Sequence, residues 1–357
     1  MTDVVRYRQL ADTLALGLKG QAATKKLPSV RQLARLYRVS AFTVSKALKM
    51  LEQRGVIVRR WGVGCFPSAR PRQRPAAGST PKLGILLGPA PPATHGWNDM
   101  LMEAVLASMR SLNAEPVYLS WQERLALDAG INGVLVPGFL LDGPQSERML
   151  RWLRDVAGGG IGVVTIDCQF SGLSSVQIDN TMGAYQAARY LCQLGHRSIA
   201  YQGPPGNPQS AERLAGVRKA LKDNGISHDP ELVWETRPSP HATYSLFPTF
   251  YRPGRFSAVC CFEDGAAAGI VKAARDAGIP VPGDLSVIGY GNLPLGEFAV
   301  LPLTTVDVHL QELASQAVRL LLEQGRDDAT QVSNLRVRTS LIVRESTGPA
   351  PAAARHG

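Results

Sequence analysis

Carboxylate and guanidinium side chains come directly after several apolar runs in the second half of the sequence. Asp179 follows SSVQI, Glu263 and Asp264 follow VCCF, and Arg213 stands shortly after the loop GPPGNPQS. A carboxylate accepts hydrogen bonds and a guanidinium donates them, so the two together suit a small molecule with several hydroxyl groups. The alternative for each residue alone is a surface salt bridge or a helix cap, and Asp264 in particular could cap a helix that begins GAAAG.

Positive charge is concentrated in the first quarter of the chain. Residues 1–82 contain 17 Lys and Arg against three acidic residues, a formal charge of +14, and the remainder carries 22 basic and 26 acidic residues, or −4. The 357-residue chain therefore carries +10 in total. A basic segment joined to a mildly acidic body is typical of a polyanion-binding module attached to a sensor or an enzyme. The alternative is a solvated basic face without a partner.

Two short helix patterns stand back to back in this basic segment, in LPSVRQLARLYRVSAFTVSKALKMLEQRGVI (27–57). A first helix pattern covers 4–20 and precedes them. Ser29 begins SVRQ, which is a capping-box sequence, and Ser40 is the candidate cap of the next helix. The helical spacing turns these apolar side chains inward: Leu33, Leu36, Val44, Ala47, Leu48 and Leu51.

A hairpin and a linker complete the front of the chain. Strand patterns at 56–60 and 65–67 flank the turn WGVG, which favours a β-hairpin. Helix, helix–turn–helix and hairpin in this order predict a winged helix over residues 1–67. Residues 68–82 are rich in Pro and Arg and lack apolar periodicity, which predicts an extended linker.

A helix–turn–helix unit can place its second helix in the major groove of DNA. Side chains at the start of that helix would reach base edges or thymine methyl groups, and basic residues around it would neutralise phosphates. The alternative is a helical hairpin that binds another protein through a basic surface. The candidate DNA-contacting residues are Arg31, Ser40, Ala41, Phe42, Thr43, Ser45, Lys46 and Arg59, supported by Arg35, Arg38, Lys49 and Arg60.

The same stretch resembles the GntR-type winged helix, whose pattern runs LPS-x-R-x-LA, then VS-x-x-TV-x-x-AL-x-x-L, then a Gly-containing wing. The resemblance covers about residues 4–67. It implies DNA-contacting or wing positions for Arg31, Ser40, Thr43, Gly62 and Gly64. The family often has Arg immediately after the VS and again four residues later, where this chain has Ala41 and Ser45. Both replacements remove guanine-reading side chains, so we expect an operator that differs from those of relatives.

From residue 83 onward, strand patterns alternate with helix patterns. The strand patterns cover 83–87, 116–119, 133–137, 162–167, 198–203, 257–262 and 285–291, and the helix patterns cover 99–112, 145–157, 181–194, 210–224, 265–277 and 309–324. This alternation predicts an α/β fold with parallel sheets flanked by helices, and the strand number favours two lobes. Such a body most often binds a small molecule beyond the carboxyl ends of its strands. We expect a disordered tail at 349–357.

Five segments of this body resemble the effector domain of LacI/GalR regulators, a relative of periplasmic sugar-binding proteins: VQIDNTMGAYQAARYLCQLGHRSIAYQG, SAERLAGVRKAL, VPGDLSVIGYGN, PLTTV and LIVREST. The resemblance spans about 83–348 and implies a two-lobed periplasmic-binding-protein-like domain. It implies that Arg213 contacts a ligand and that Asp179 lies near the pocket. Glu263 stands where the family usually has Asn, and Asn292 stands where a carboxylate commonly binds sugar hydroxyls.

Two further residues are weaker ligand candidates. Trp97, near the end of the first strand of the body, could stack on a sugar face, and the alternative is a place in the core. His241 is the other candidate. A GntR-type head on a LacI-type body is an architecture found in carbohydrate regulators such as arabinose repressors. The linker lacks the hinge helix of LacI-type proteins, so we expect the effector to act through dimer geometry.

The sequence thus predicts a cytoplasmic transcriptional regulator, with a repressor favoured over an activator. We expect it to bind double-stranded operator DNA as a homodimer and to respond to a small, carbohydrate-like effector. Five cysteines without a C-x-x-C spacing, and the lack of a signal or a membrane-span pattern, favour a protein with no metal, no cofactor and no membrane. The alternative is an enzyme acting on a nucleotide or sugar. Its best feature, AGGGIG at 157–162, precedes a strand, whereas a dinucleotide loop follows one, and we expect no catalytic residues.

Overall fold

The computed structural model describes residues 3–18, 26–53, 56–60, 64–67, 80–87, 96–121, 127, 130–141, 146–297, 299, 301–326 and 332–351. Gly62 and most of the predicted linker, 68–79, lie outside these residues. The chain forms two compact units. The first draws on residues 1–89, 108–175 and 316–334, and the second on residues 90–107, 176–315 and 335–357.

The N-terminal part, which we call the head, is a winged helix. It consists of α1 (Asp3–Leu18), α2 (Val30–Tyr37), α3 (Ala41–Gln53) and the antiparallel strands β1 (Ile57–Arg60) and β2 (Gly64–Pro67). Ser29 caps α2 with the predicted capping box, because its hydroxyl and the Gln32 side chain each bond the other residue's backbone N–H. The amide of Leu27 donates to the carbonyl of Cys65 (2.7 Å), which ties the segment before α2 to the hairpin.

The core of the head contains the apolar residues that the helical spacing predicts, with one exception. Leu33, Val44 and Leu51 are all at most 2% exposed. Leu36 is 68% exposed, so its predicted inward orientation is wrong. At 100° per residue, Leu36 lies roughly 110° away from the face that Val30, Leu33 and Ala34 turn toward α3.

The first sheet has the strand order β13-β7-β6-β5-β3-β4. Its strands are β3 (Lys82–Leu87), β4 (Glu115–Ser120), β5 (Ile131–Pro137), β6 (Gly162–Ile166), β7 (Ser174–Ile178) and β13 (Asn334–Val337). The strand pairs β3–β4, β3–β5 and β5–β6 are parallel. The helices α5 (Ser146–Gly158) and α11 (Leu310–Arg326) accompany this sheet, and α4 (Trp97–Ser111) lies between β3 and β4 in the chain. Lys82, which the sequence assigns to the linker, is the first residue of β3.

The second sheet has the order β14-β12-β11-β10-β8-β9, and every pair is parallel except the edge pair β12–β14. Its strands are β8 (Ile199–Gly203), β9 (Val233–Glu235), β10 (Ala258–Cys261), β11 (Ser286–Tyr290), β12 (Thr304–Asp307) and β14 (Ser340–Ile342). The helices are α6 (Asn180–Gln193), α7 (Pro208–Asp223), α8 (Pro240–Phe250), α9 (Asp264–Asp276) and the short α10 (Pro294–Glu297). The predicted α/β fold with parallel sheets is therefore confirmed.

The end of the described chain is packed against the second sheet. Ala350 is 1% exposed, and its amide donates to the carbonyl of Leu194 (2.9 Å). The buried ring of His196 bonds the Gly348 carbonyl through Nε2 (3.1 Å) and the Ser257 hydroxyl through Nδ1 (2.8 Å). The prediction of a disordered tail from residue 349 is therefore wrong for Ala350, whose amide is bonded and whose methyl group is buried. Residues 352–357 lie outside the described residues.

Candidate DNA interface and effector site

The start of α3 is fixed by Ser40. Its hydroxyl oxygen accepts a hydrogen bond from the amide of Thr43 (3.1 Å) and lies 2.8 Å from the Thr43 hydroxyl. This cap satisfies an N–H group that has no partner within the helix. Thr43 is only 7% exposed, so the prediction that it belongs to the exposed start of the helix is wrong. Both hydroxyls serve the cap in the free protein.

Four other predicted residues do form an exposed face of α3. Ala41, Phe42, Ser45 and Lys46 are all exposed, and Phe42 retains 64% of its accessible surface. The Lys46 ammonium lies 4.6 Å from the centroid of the Phe42 ring and 5.6 Å from that of Tyr7. These contacts are within cation–π range, so the ring and the ammonium are held side by side.

Exposed basic side chains surround this face. Arg31, Arg35 and Lys49 project from α2 and α3, and Arg38 follows α2 in a left-handed conformation (φ 52°) as its C-cap. The guanidinium of Arg59 lies 3.7 Å from the carboxylate of Glu52. Exposed cations in this number suit the sequence-independent attraction of a phosphate backbone. Of the two wing glycines, Gly64 opens β2 at φ 136°, a conformation that favours glycine.

In the second unit, Arg213 lies close to the carboxyl edge of the sheet and is 7% exposed. Its Nε donates to the side-chain oxygen of Asn180 (2.8 Å), and an Nη donates to the carbonyl of Phe262. The guanidinium carbon lies 3.7 Å from the centroid of the Tyr290 ring and 4.3 Å from that of Phe262. A buried guanidinium needs such partners, because desolvation without them would be costly.

Gly183 leaves space for the Tyr290 ring that stacks on Arg213. A Cβ on Gly183 of α6 would lie 2.5 Å from the hydroxyl oxygen of Tyr290 and 3.0 Å from that of Thr339. Glycine at this position therefore lets the Tyr290 hydroxyl approach α6. The ring of Tyr290 in turn supports Arg213, so a residue on one helix positions a side chain on another.

Two carboxylates follow β10 and take different roles. Asp264 is fully buried and accepts hydrogen bonds from the Leu293 amide (2.6 Å) and the Thr305 hydroxyl (2.5 Å). It fastens the segment after β11 and strand β12 to α9, and the N-cap position of α9 belongs to Glu263, so the alternative of a capping role for Asp264 is wrong. Burial raises the pKa of Asp264, although its two hydrogen bonds oppose that shift.

Glu263 lies close enough to Arg213 for their charges to interact. Burial raises the pKa of Glu263 to about 7, and the nearby guanidinium of Arg213 acts in the opposite direction. Its side chain makes no capping bond to α9. Glu263 is therefore a carboxyl group with a raised pKa within electrostatic range of the Arg213 guanidinium.

Asn292 and Asp179 are held by arginines that the sequence did not single out. The side-chain oxygen of Asn292 accepts from Arg344 (2.9 Å), which also donates to the carbonyl of Leu303. Asp179 caps α6 by accepting from the Met182 amide (3.1 Å) and lies 3.9 Å from Arg336. A helix cap was the alternative for Asp179, and the structure shows that cap.

Glu212 connects Arg336, the partner of Asp179, to Asn180 and Arg213. Arg336 donates to Glu212 (3.3 Å), and the other carboxylate oxygen of Glu212 accepts from Asn180 (3.2 Å), which itself accepts from Arg213. Asp179 therefore lies at the far end of a chain of polar contacts that runs through Arg336, Glu212 and Asn180 to Arg213. Of the two remaining candidates, Trp97 is the half-buried first residue of α4, and His241 is exposed at the start of α8.

The sequence did not identify Asn180, Tyr290, Thr305 or Arg344 as site residues. Asn180 follows Asp179 directly, and Tyr290 is the last residue but one of the strand pattern LSVIGYG, so an aromatic residue near a strand end was the available signal. Among the described residues, no group of three or more His, Cys, Asp or Glu is placed to hold a metal ion. Every helix in the described part of the chain is too short or too polar to cross a bilayer.

A basic winged helix joined to parallel α/β units with a polar cluster at a sheet edge defines a two-part DNA-binding protein. Family models match both parts: "Bacterial regulatory proteins, gntR family" over residues 19–66, and "Periplasmic binding protein-like domain" over residues 188–347. The HTH-type transcriptional regulator AglR of Rhizobium meliloti is 30% identical over 90% of this chain and 95% of AglR. The chain therefore belongs to the HTH-type transcriptional regulators, with a gntR-family head and a periplasmic-binding-protein-like body.

Other relatives match over different shares of their length. The arabinose metabolism transcriptional repressor of Halalkalibacterium halodurans is 26% identical over 91% of both chains. The regulator DegA of Bacillus subtilis is 31% identical over 58% of this chain, which spans about three-fifths (62%) of DegA. These relatives are named as regulators, so the prediction of a regulator rather than an enzyme is confirmed.

Solved structures confirm the fold. A LacI family transcriptional regulator from Enterococcus faecium with bound ribose has a TM-score of 0.64 and 23% identity, over 75% of this chain and 99% of that one. The transcriptional regulator CelR in complex with cellobiose has a TM-score of 0.63 and 19% identity, over 90% of this chain and all of that one.

Proposed function

We propose that this regulator is a repressor that binds operator DNA through the exposed face of α3 and responds to a small sugar-like effector. The effector site lies at the carboxyl edge of the second sheet, around Arg213 and Glu263. The full-length relative named an arabinose metabolism repressor supports both parts of the proposal, as do solved structures of the same fold with ribose and cellobiose. Because its target is chromosomal DNA, we place its action in the cytoplasm.

The arrangement of Arg213 is the observation that carries the effector proposal. Stacking on Tyr290 and hydrogen bonds to Asn180 and Phe262 fix the plane of the guanidinium before any ligand arrives. Preorganised donors suit the recognition of hydroxyl oxygens, because little side-chain entropy remains to be lost on binding. Glu263 adds a group that accepts from hydroxyls when ionised and can donate when protonated.

We further propose that the protein acts as a homodimer, with two heads on the half-sites of a pseudo-palindromic operator. Two-fold symmetry of the protein then matches that of the operator. Effector binding would change operator affinity by about 5- to 150-fold, the usual range of allosteric coupling. Sedimentation of the protein with and without operator DNA tests the dimer, and a monomer in both states would contradict it.

Arg213→Ala tests the effector site. We expect it to abolish the effect of the sugar on operator binding while operator affinity stays within about twofold. A thermal-shift screen of sugars identifies the effector, and fluorescence anisotropy on operator DNA selected by the full-length protein measures the response. Arg275→Ala removes an exposed arginine from the same unit and serves as the matched control.

Because Arg213 is buried, Arg213→Lys serves as a second variant that keeps the charge but loses the planar set of donors. We expect a folded protein with a weakened response. A full response in both Arg213 variants would contradict the proposed site.

Arg31→Ala tests the DNA interface. We expect weaker binding to all sequences and a salt dependence, log Kd against log salt, that is shallower by about one unit, because one phosphate contact is lost. The increase in melting temperature that the effector causes should be the same in Arg31→Ala as in the wild type. If Arg31→Ala and Arg213→Ala both reduced DNA binding equally, the proposed separation of the two sites would be wrong.

A further inference from the structure

Phe42 is a large aromatic side chain on the exposed face of α3. It keeps 64% of its surface accessible, although ten other residues of the head form a buried apolar cluster. A single exposed apolar residue needs no special explanation. Phe42 differs because it stands at the start of the second helix of a helix–turn–helix, the part of this motif that contacts base edges.

The side chains beside Phe42 are short. Ala41 and Ser45 are exposed and project little, whereas the hydroxyls of Ser40 and Thr43 are engaged in the cap of α3. The exposed face at the start of this helix therefore offers an aromatic ring and the Lys46 ammonium 4.6 Å from its centroid. This face therefore has few side chains that could form hydrogen bonds to base edges.

The charge of the surroundings indicates what covers the ring. Residues 1–82 carry a formal charge of +14, which favours a polyanion over an apolar protein surface. In the major groove of DNA, the apolar group that a base edge presents is the C5-methyl of thymine. An aromatic ring in this position can cover that methyl and exclude water from it.

We propose that Phe42 is a specificity-determining residue that contacts a thymine methyl group in each operator half-site. This inference rests on the proposed function, because it assumes that α3 enters the major groove. It predicts a thymine in each operator half-site, close to the position where a relative with arginine on this helix would select guanine. Removal of one methyl group should weaken binding roughly three- to fivefold, from about 0.8 kcal/mol per buried carbon.

The experiment compares thymine with deoxyuridine, which lacks only the C5-methyl group. Full-length protein selects its operator from a random duplex library, and each thymine of the selected half-site is then replaced in turn by deoxyuridine. We expect one position at which wild-type affinity falls roughly three- to fivefold. Phe42→Ala should bind the thymine operator with a similarly reduced affinity and should no longer distinguish thymine from deoxyuridine at that position.

Leu36→Ala is the matched control, because Leu36 is equally exposed (68%) and lies on α2 instead of α3. It should keep the wild-type difference between thymine and deoxyuridine. If every thymine can be replaced without loss, or if Phe42→Ala still discriminates, the inference is overturned while the regulator function stands. A selection that enriches no sequence overturns both.

Discussion

The head and the second unit use charge in opposite ways. In the head, Arg31, Arg35 and Lys46 are exposed on α2 and α3, and Lys46 also lies over the rings of Phe42 and Tyr7. In the second unit, Arg213 and Asp264 are buried; Arg213 donates hydrogen bonds to other elements, and Asp264 accepts them. Exposed charges act over about a Debye length and weaken with salt, whereas buried charges depend on their immediate partners. One region is therefore suited to attracting a long polyanion and the other to fixing the geometry of a small site.

Within the second unit, the pKa shifts divide in the same way between buried and exposed charges. Burial raises the pKa of Glu263 to about 7 and also raises that of Asp264. Asp276 on the surface shows the reverse, because hydrogen bonds from Lys272 and Tyr244 lower its pKa. The comparison predicts large effects from changes to buried charges and local effects from changes in the head.

The largest effect is expected from Asp264→Ala. The substitution leaves the Leu293 amide and the Thr305 hydroxyl buried without their acceptor, which should cost about 4 kcal/mol in the free energy of unfolding. Thermal unfolding of the full chain measures the loss. Asp276→Ala breaks an exposed pair with Lys272 (2.8 Å) and should leave the melting temperature unchanged. Equal effects of the two variants would contradict the comparison.

A smaller, pH-dependent effect is expected from Glu263→Gln. The native pKa near 7 lies above the ordinary value of 4.5, so the native state holds this proton more tightly than the unfolded chain does. Stability from this group is therefore present below pH 4.5 and is lost as pH rises through 7, by on the order of 3 kcal/mol. The melting temperature of Glu263→Gln relative to wild type should rise between pH 5 and pH 8.

Glu235→Gln, which changes an exposed residue at the end of β9, is the control for this pH series. Its melting temperature relative to wild type should not vary with pH. A pH-independent difference for Glu263→Gln would show that Glu263 is ionised throughout, and the buried-charge side of the comparison would then need revision.

The smallest effect is expected in the head, from Ser40→Ala. Loss of the N-cap should cost about 1 kcal/mol and act on α3 alone. Hydrogen exchange of the α3 amides, followed by mass spectrometry without DNA, should therefore accelerate about fivefold. Ser45→Ala on the same helix should leave exchange unchanged, since Ser45 is exposed and lies beyond the cap. Faster exchange throughout the second unit would be unexpected for a local cap.

Local signals were sufficient to predict the head. The capping box at Ser29 and the cap at Ser40 both lie within three residues of the groups they bond, so the sequence pattern specifies them. Alternating apolar runs likewise predicted parallel sheets. Short or mixed elements were missed, namely β9, β12, β13, β14, α8 and α10.

Helix α8 shows why these elements were missed. It contains four aromatic or His residues and an internal proline, Pro248, which disfavours a helix. Packing against the core compensates, since Phe247 is 1% exposed and stacks on Tyr251 with ring centroids 5.0 Å apart. Only the folded chain brings these contacts together.

The candidate effector site was predictable in part. A strand end and a family pattern identified Arg213 and Glu263, but burial and stacking depend on distant segments. Arg213 meets Asn180 and Phe262, which are 33 and 49 residues away in the chain. Asn292 is bonded by Arg344 from 52 residues further on. Short-range patterns carry no information about such pairs.

The late position of β13 and β14 in the chain has a consequence for synthesis on the ribosome. Each strand joins a sheet whose other members were made much earlier, and Ala350 still packs on the second unit. The head is complete by Pro67, so it can fold, and can meet DNA, while the rest is still being translated. Completion of both sheets must await synthesis of residues 334–342, so a nascent chain that stops before them would present a finished winged helix without two finished sheets.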